Sequence, residues 1–228
     1  IKYNLMIFIK KHFNLNENLI KYENDNVIFG KNKITFKKLI SLAYLNRIPL
    51  SSSGFYKTPK IYVDKKTLKG RPFLYFCYGA AVSEVIIDTL TGENKLLKVD
   101  ILHDVGNSIN PSIDYGQIEG GFVQGLGWLT SEEITWANNG NLLVHSPSTY
   151  KIPVMNDIPI IFNTKIHKNK GNKEDTVNKS KAVGEPPLLL ALSTFFAIKN
   201  AISYAKNDNK VKLIAPATPE NILNSINN

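Results

Sequence analysis

The chain has 228 residues, 43% of them apolar, enough for a sizeable core in one large domain or two small ones. Its net charge of +9 invites a nucleic-acid reading, but the basic residues are almost all lysine, spread from Lys2 to Lys212, with arginine only at Arg47 and Arg71. Without arginine forks a phosphate- or base-reading surface is not expected, and a lone cysteine, Cys77, excludes a disulfide framework or a thiolate metal cluster. Cys77 lies in the apolar run Leu74–Cys77, where a buried structural thiol is expected, and the composition fits a cytoplasmic chain. No apolar run approaches the length of a membrane span, and no signal-peptide pattern opens the chain. A first residue of Ile1 suggests a piece of a longer polypeptide.

Apolar residues at helical spacing predict a helix from Ile1 to about Phe13. Ile20–Tyr22 and Val27–Phe29 read as short strands around Glu23-Asn24-Asp25-Asn26. Thr35 is placed to cap a helix running through Leu39, Leu42 and Tyr44 to Arg47. The stretch from Pro49 to Gly70 reads as an extended connection. A hairpin follows, with Tyr78–Asp88 and Lys95–Asp104 joined around Thr91-Gly92-Glu93-Asn94. Asn110-Pro111 signals a helix start, with Asn110 as cap and Pro111 in the first turn. Glu133–Trp136 and Leu142–His145 form a second hairpin candidate, and Ile160–His167 a further strand. The tract Lys168–Lys179 reads as a solvated loop. A long helix from Pro187 to about Ala205, apolar at its start, is expected to be central, and Thr218-Pro219-Glu220 opens a final short one. Strands and helices in mixed order predict an α+β fold.

Two segments carry chemistry. In Lys181-Ala182-Val183-Gly184-Glu185-Pro186-Pro187 the paired prolines suit the first turn of a helix. Glu185, preceding a proline, is expected to be extended, with its carboxylate at the helix mouth near the positive dipole end. An ionised, positioned carboxylate is what a general base requires. Taken alone, those seven residues fit a helix-capping glutamate better.

The second segment, Gly116 to Gly127, holds five glycines in a presumed helix, a cost of roughly 3–5 kcal/mol relative to alanine. Gly116 with Gly120, and Gly121 with Gly125, lie four apart and clear flat strips for a neighbouring backbone or a bulky ligand. Gln117 and Gln124 share this face, and an uncharged amide both donates and accepts. Tight helix packing remains an equal reading. No second histidine stands at metal-ligand spacing from His103, so no metal held by side chains is expected. Ser148-Thr149-Tyr150 reads as turn chemistry, and Lys181 as a solvated lysine.

Taken together the motifs resemble the molybdenum-binding subunit of the xanthine dehydrogenase and aldehyde oxidase family. The resemblance runs from about Ser51 to the C-terminus. It is carried by Thr58-Pro59, Arg71 to Phe76, Ser83-Glu84-Val85, Asp104-Val105-Gly106 through Asn110-Pro111, Gly116 to Gly127, Pro147 to Pro153, and Ser180 to Pro187. From Gly70 to Thr130 the wording is nearest to the bacterial xanthine dehydrogenase large subunit. The resemblance implies that residues 1–228 are the C-terminal part of the second molybdenum-cofactor-binding domain. It also implies that Glu185 is the catalytic base, that Gln117 hydrogen-bonds molybdopterin near the metal, and that Gly184 lies in the loop beside it. The implied reaction is hydroxylation of xanthine or hypoxanthine with oxygen from water, in purine catabolism. Electrons would leave through 2Fe-2S centres and FAD carried on other domains or subunits. Related hydroxylases for aldehydes or N-heterocycles, or a non-catalytic remnant, are the alternatives. Partners so implied are the remainder of the large subunit and the iron–sulfur/FAD part, and the chain alone is expected to be inactive.

Overall fold

A computed structural model describes residues 1–15 and 20–227. The chain divides into two compact units, Ile1–Pro59 and Lys60–Asn228.

In the first unit, helix α1 (Lys2–His12) and strands β1 (Ile20–Glu23) and β2 (Asn26–Phe29) stand where the pattern placed them. Asn24 and Asp25, both at positive φ, close a two-residue turn, a backbone that asparagine and aspartate tolerate better than most. The pattern did not announce β3 (Asn32–Thr35), which pairs antiparallel with β2. Thr35 caps α2 (Phe36–Leu45) by accepting a hydrogen bond from the Lys38 N–H. Leu5, Phe8, Ile9, Val27, Phe29, Leu39 and Ala43 form its core.

The second unit opens with a minimal antiparallel pair, β4 (Tyr62–Val63) and β5 (Gly70–Arg71). Its main sheet runs β6 (Gly79–Ile87), β7 (Asn94–His103), β8 (Ile161–Ile166). β6 and β7 form the expected hairpin, with a bulge between Glu84 and Val85. β8 lies parallel to β7, which requires a crossover, and α3 (Pro111–Thr130) lies within it. Asn110 caps α3 through the Ile113 N–H. Ile118, Phe122 and Leu126 of α3 pack on Leu96, Val99 and Ile101 of the sheet, and the Phe122 and Phe162 rings meet edge to face. Sheet and helices together are the α+β arrangement expected.

Five expectations are corrected. Glu133–His145 forms no strand pair, only a single bridge between Trp136 and Leu142. The tract 168–179 is anchored rather than simply solvated. Asn172 is buried, and Glu174 takes ion pairs from Lys60 and Arg71, whose hydrogen bonds hold its carboxyl below the usual range. The predicted helix from Pro187 begins as a 3-10 segment, Pro186–Ala191, and continues as α4 (Leu192–Lys206). Its Pro186–Lys206 run is, against expectation, long and apolar enough to cross a membrane by length and composition alone. Nor is it central all round. Thr194, Ile198 and Ile202 are buried, Ser193 and Thr194 hydrogen-bond Ser83 of β6, and Leu189, Phe196 and Tyr204 are exposed. That is the one-sided burial of a helix laid on a sheet. The chain ends in α5 (Pro219–Asn227), whose first turn is closed by Thr218 accepting from the Asn221 N–H.

Candidate functional site

The glycines of α3 explain how the two chemical segments meet. A Cβ on Gly125 would stand 2.3 Å from the Leu188 carbonyl oxygen and 2.9 Å from Ala191 Cβ. One on Gly121 would stand 3.2 Å from both the Gly184 oxygen and Pro187 Cβ. These two glycines let the backbone of 184–191 lie directly on the helix. Gly116 and Gly120 differ, since a Cβ on either would meet nothing within 4 Å. The packing reading holds at Gly121 and Gly125, whereas Gly116 and Gly120 face open space.

This close approach brings Gly184 to Gln117. A Cβ on Gly184 would lie 3.1 Å from Gln117 Oε1. Glu185 follows at once, and Gln117, Gly184 and Glu185 are all exposed. Neither the Gln117 amide nor the Glu185 carboxylate has a side-chain hydrogen-bond or ion-pair partner among the described residues. Glu185 is not extended as expected. Its φ of −92° and ψ of −40° are helical, and its carbonyl accepts from the Leu188 N–H to begin the 3-10 segment. The side chain makes no cap, so the capping reading fails.

The segment leading to Glu185 is held by contacts that the sequence did not reveal. Lys181 is no solvated lysine. Its side chain is 10% exposed, and Nζ donates to Asp104 Oδ2 at 2.5 Å and to the Phe76 carbonyl at 2.9 Å, lying 5.0 Å from the Tyr78 ring centre. Asp104 also accepts from the Gly106 N–H and from Asn169. Burial opposes ionisation of Asp104, but the hydrogen bonds from Lys181, Gly106 and Asn169 prevail, and its carboxyl is held below the ordinary range. Removing one partner of such a pair costs about 3–5 kcal/mol, because it leaves a buried charge alone. The Lys181 N–H bonds the Val105 carbonyl, the Ala182 N–H bonds the Tyr75 hydroxyl, and Cys77 Sγ donates to the Ala182 carbonyl. Cys77 is therefore half-buried rather than fully so, and burial raises its thiol pKa.

The remaining candidates stay apart. His103 is buried with neither ring nitrogen partnered among the described residues, and burial lowers its pKa. Gly79 makes room for it, since a Cβ there would come within 2.7 Å of His103 Nδ1. Ser146, Ser148 and Thr149 bond one another in a turn, as read from sequence. Among the described residues no three His, Cys, Asp or Glu side chains cluster to hold a metal ion.

Residues 1–159 match the family described as molybdopterin cofactor-binding domain, and the chain belongs to that family. It is 51% identical over 193 residues to a xanthine dehydrogenase/oxidase of Felis catus, covering 82% of this chain and 14% of that one. A xanthine dehydrogenase/oxidase of Gallus gallus is 48% identical over 197 residues, with 85% and 14% covered. The chain thus spans about one-seventh of the length of these relatives. Among solved structures, the aldehyde oxidoreductase of Desulfovibrio desulfuricans superposes with a TM-score of 0.63 at 26% identity, covering 81% of this chain and 19% of that one. The residues present fit a molybdopterin: an open glycine strip and an unpartnered amide lie beside the backbone that carries Glu185, and the metal would ride on the pterin rather than on side chains.

Proposed function

We propose that residues 1–228 are the C-terminal part of the second molybdenum-cofactor-binding domain of a hydroxylase that oxidises xanthine and hypoxanthine in the cytoplasm. The observation that carries this reading is the junction of Gln117, Gly184 and Glu185 beside the open Gly116–Gly120 strip. Bound molybdopterin would supply the two-electron oxidation and the activation of water. The chain's own share is positioning and proton transfer. The Gln117 amide donates to and accepts from the pterin edge, and Gly184 keeps the approach clear of a side chain. Glu185 accepts the proton released as water-derived oxygen attacks the purine carbon.

The exposed Phe73, Phe76, Leu189, Phe196 and Tyr204 support burial against further polypeptide, the remainder of a large subunit. Iron–sulfur and FAD modules on other domains or subunits would receive the electrons. The test is metal analysis and turnover of the molybdenum-loaded enzyme carrying this chain, with xanthine and an aldehyde as rival substrates. Molybdenum with xanthine turnover is expected. Aldehyde turnover without xanthine turnover would contradict the purine assignment. Gln117→Ala is expected to lower molybdenum content, and an unchanged content would remove Gln117 from the site.

A further inference from the structure

We propose that the buried Asp104–Lys181 pair, aided by the Tyr75 hydroxyl, is the positioning device for Glu185, and that turnover depends on it. This rests on Glu185 being the base. Glu185 is exposed and its carboxylate is unpartnered, so nothing bonded to the side chain fixes where it stands. Its position is inherited from the backbone on either side. On the C-terminal side that backbone is seated on Gly121 and Gly125 through Pro187, Leu188 and Ala191. On the N-terminal side the tethers of residues 181 and 182 converge from the segment just after β7 and the segment just before β6. Lys181 Nζ reaches Asp104 and Phe76, its N–H reaches Val105, and Ala182 is held at both its N–H and its carbonyl by Tyr75 and Cys77.

Asp104 is the hub of that clamp. It directly follows β7, whose ladder to β6 and β8 runs on to His103, and its own N–H bonds the Tyr78 carbonyl. Gly106 and Asn169 occupy its other oxygen, so the carboxylate has one orientation in which to meet Lys181. A rigid sheet end therefore fixes an ammonium, the ammonium fixes residue 181, and Glu185 follows four residues on. Such a chain of contacts is what holds a reacting group within the narrow tolerance of a productive geometry. A lysine needed only for charge would not require a hydrogen-bonded carboxylate, a carbonyl and an aromatic face around it.

The test uses the molybdenum-loaded enzyme carrying this chain. The double variant Lys181→Met/Asp104→Leu removes both charges and leaves neither buried alone. The expected result is a kcat lowered by about 10²-fold, the scale of a misplacement of about 1 Å, with KM and molybdenum content retained. Amide exchange across residues 180–185 should quicken while α3 stays as protected as in the parent. Parental kcat and exchange would overturn the proposal, and so would molybdenum lost in step with kcat, which marks a purely structural role. Should the double variant fail to fold, Tyr75→Phe decides. A smaller loss of kcat with faster exchange at Ala182 supports the device, and no change in either overturns it. Near-normal turnover by Glu185→Gln overturns the base assignment and this proposal with it. An inactive Glu185→Gln beside a fully active double variant overturns the proposal alone.

Discussion

Gly121 and Gly125 on α3 face the backbone that follows Glu185, whereas Gly116 and Gly120, at the same four-residue spacing, face open space. The first pair is structural, since the chain of 184–191 could not seat on a helix that carried side chains there. Among the described residues the second pair has no neighbour to explain a helix penalty of about 1 kcal/mol per glycine. Identical spacing in one helix thus serves packing on one strip and leaves clearance on the other, the strip beside which we propose that the cofactor lies.

Alanine at each of these four positions separates packing from clearance. Gly125→Ala should have the largest effect. The new methyl would meet the Leu188 carbonyl at 2.3 Å, and overpacking of this kind costs about 1–3 kcal/mol, partly offset by about 1 kcal/mol of helix propensity. Urea unfolding measures it, and an unchanged midpoint would show that 184–191 does not rest on α3. Gly121→Ala, with contacts at 3.2 Å, should be close to neutral in the same experiment. Gly116→Ala and Gly120→Ala should stabilise by up to about 1 kcal/mol each while lowering molybdenum content. Stabilisation without loss of molybdenum would remove the ligand from that strip.

The smallest expected effect concerns pH. Burial holds the His103 pKa below its ordinary value of about 6.5, so the unfolded chain binds a proton that the folded chain refuses. Stability is then complete above about pH 6.5 and declines as pH falls below it. Asp104, also lowered, adds a second decline as pH passes down through the carboxylate range. Thermal unfolding of His103→Leu between pH 7 and 5 should show a shallower decline than the parent, and an equal decline would place the titration elsewhere.

Much of this architecture was legible because local chemistry dictates it. Thr35 and Asn110 cap the helices they were expected to cap, the last helix opens at Thr218 as expected, and the β6–β7 hairpin follows from alternating apolar residues around Thr91 to Asn94. What escaped depends on partners distant in the chain. Lys181 looks solvated until Asp104, 77 residues earlier, arrives beside it. Glu174 looks like part of a polar tract until Arg71, 103 residues earlier, pairs with it. Glu185 sits before a proline yet adopts a helical backbone, because the 3-10 segment seated on Gly121 and Gly125 sets its conformation more firmly than the local preference does. The Glu133–His145 hairpin had the right turn residues, but its flanks pair only at Trp136 and Leu142. At the candidate site the residues were readable as motifs, while their junction required the fold.

The most direct measurement is steady-state oxidation of xanthine by Glu185→Gln in enzyme whose molybdenum content is assayed alongside. The amide keeps the side chain's size but cannot take a proton. The expected kcat is lower by about 10²- to 10⁴-fold with molybdenum unchanged. Turnover near the parental rate at full molybdenum loading would contradict it.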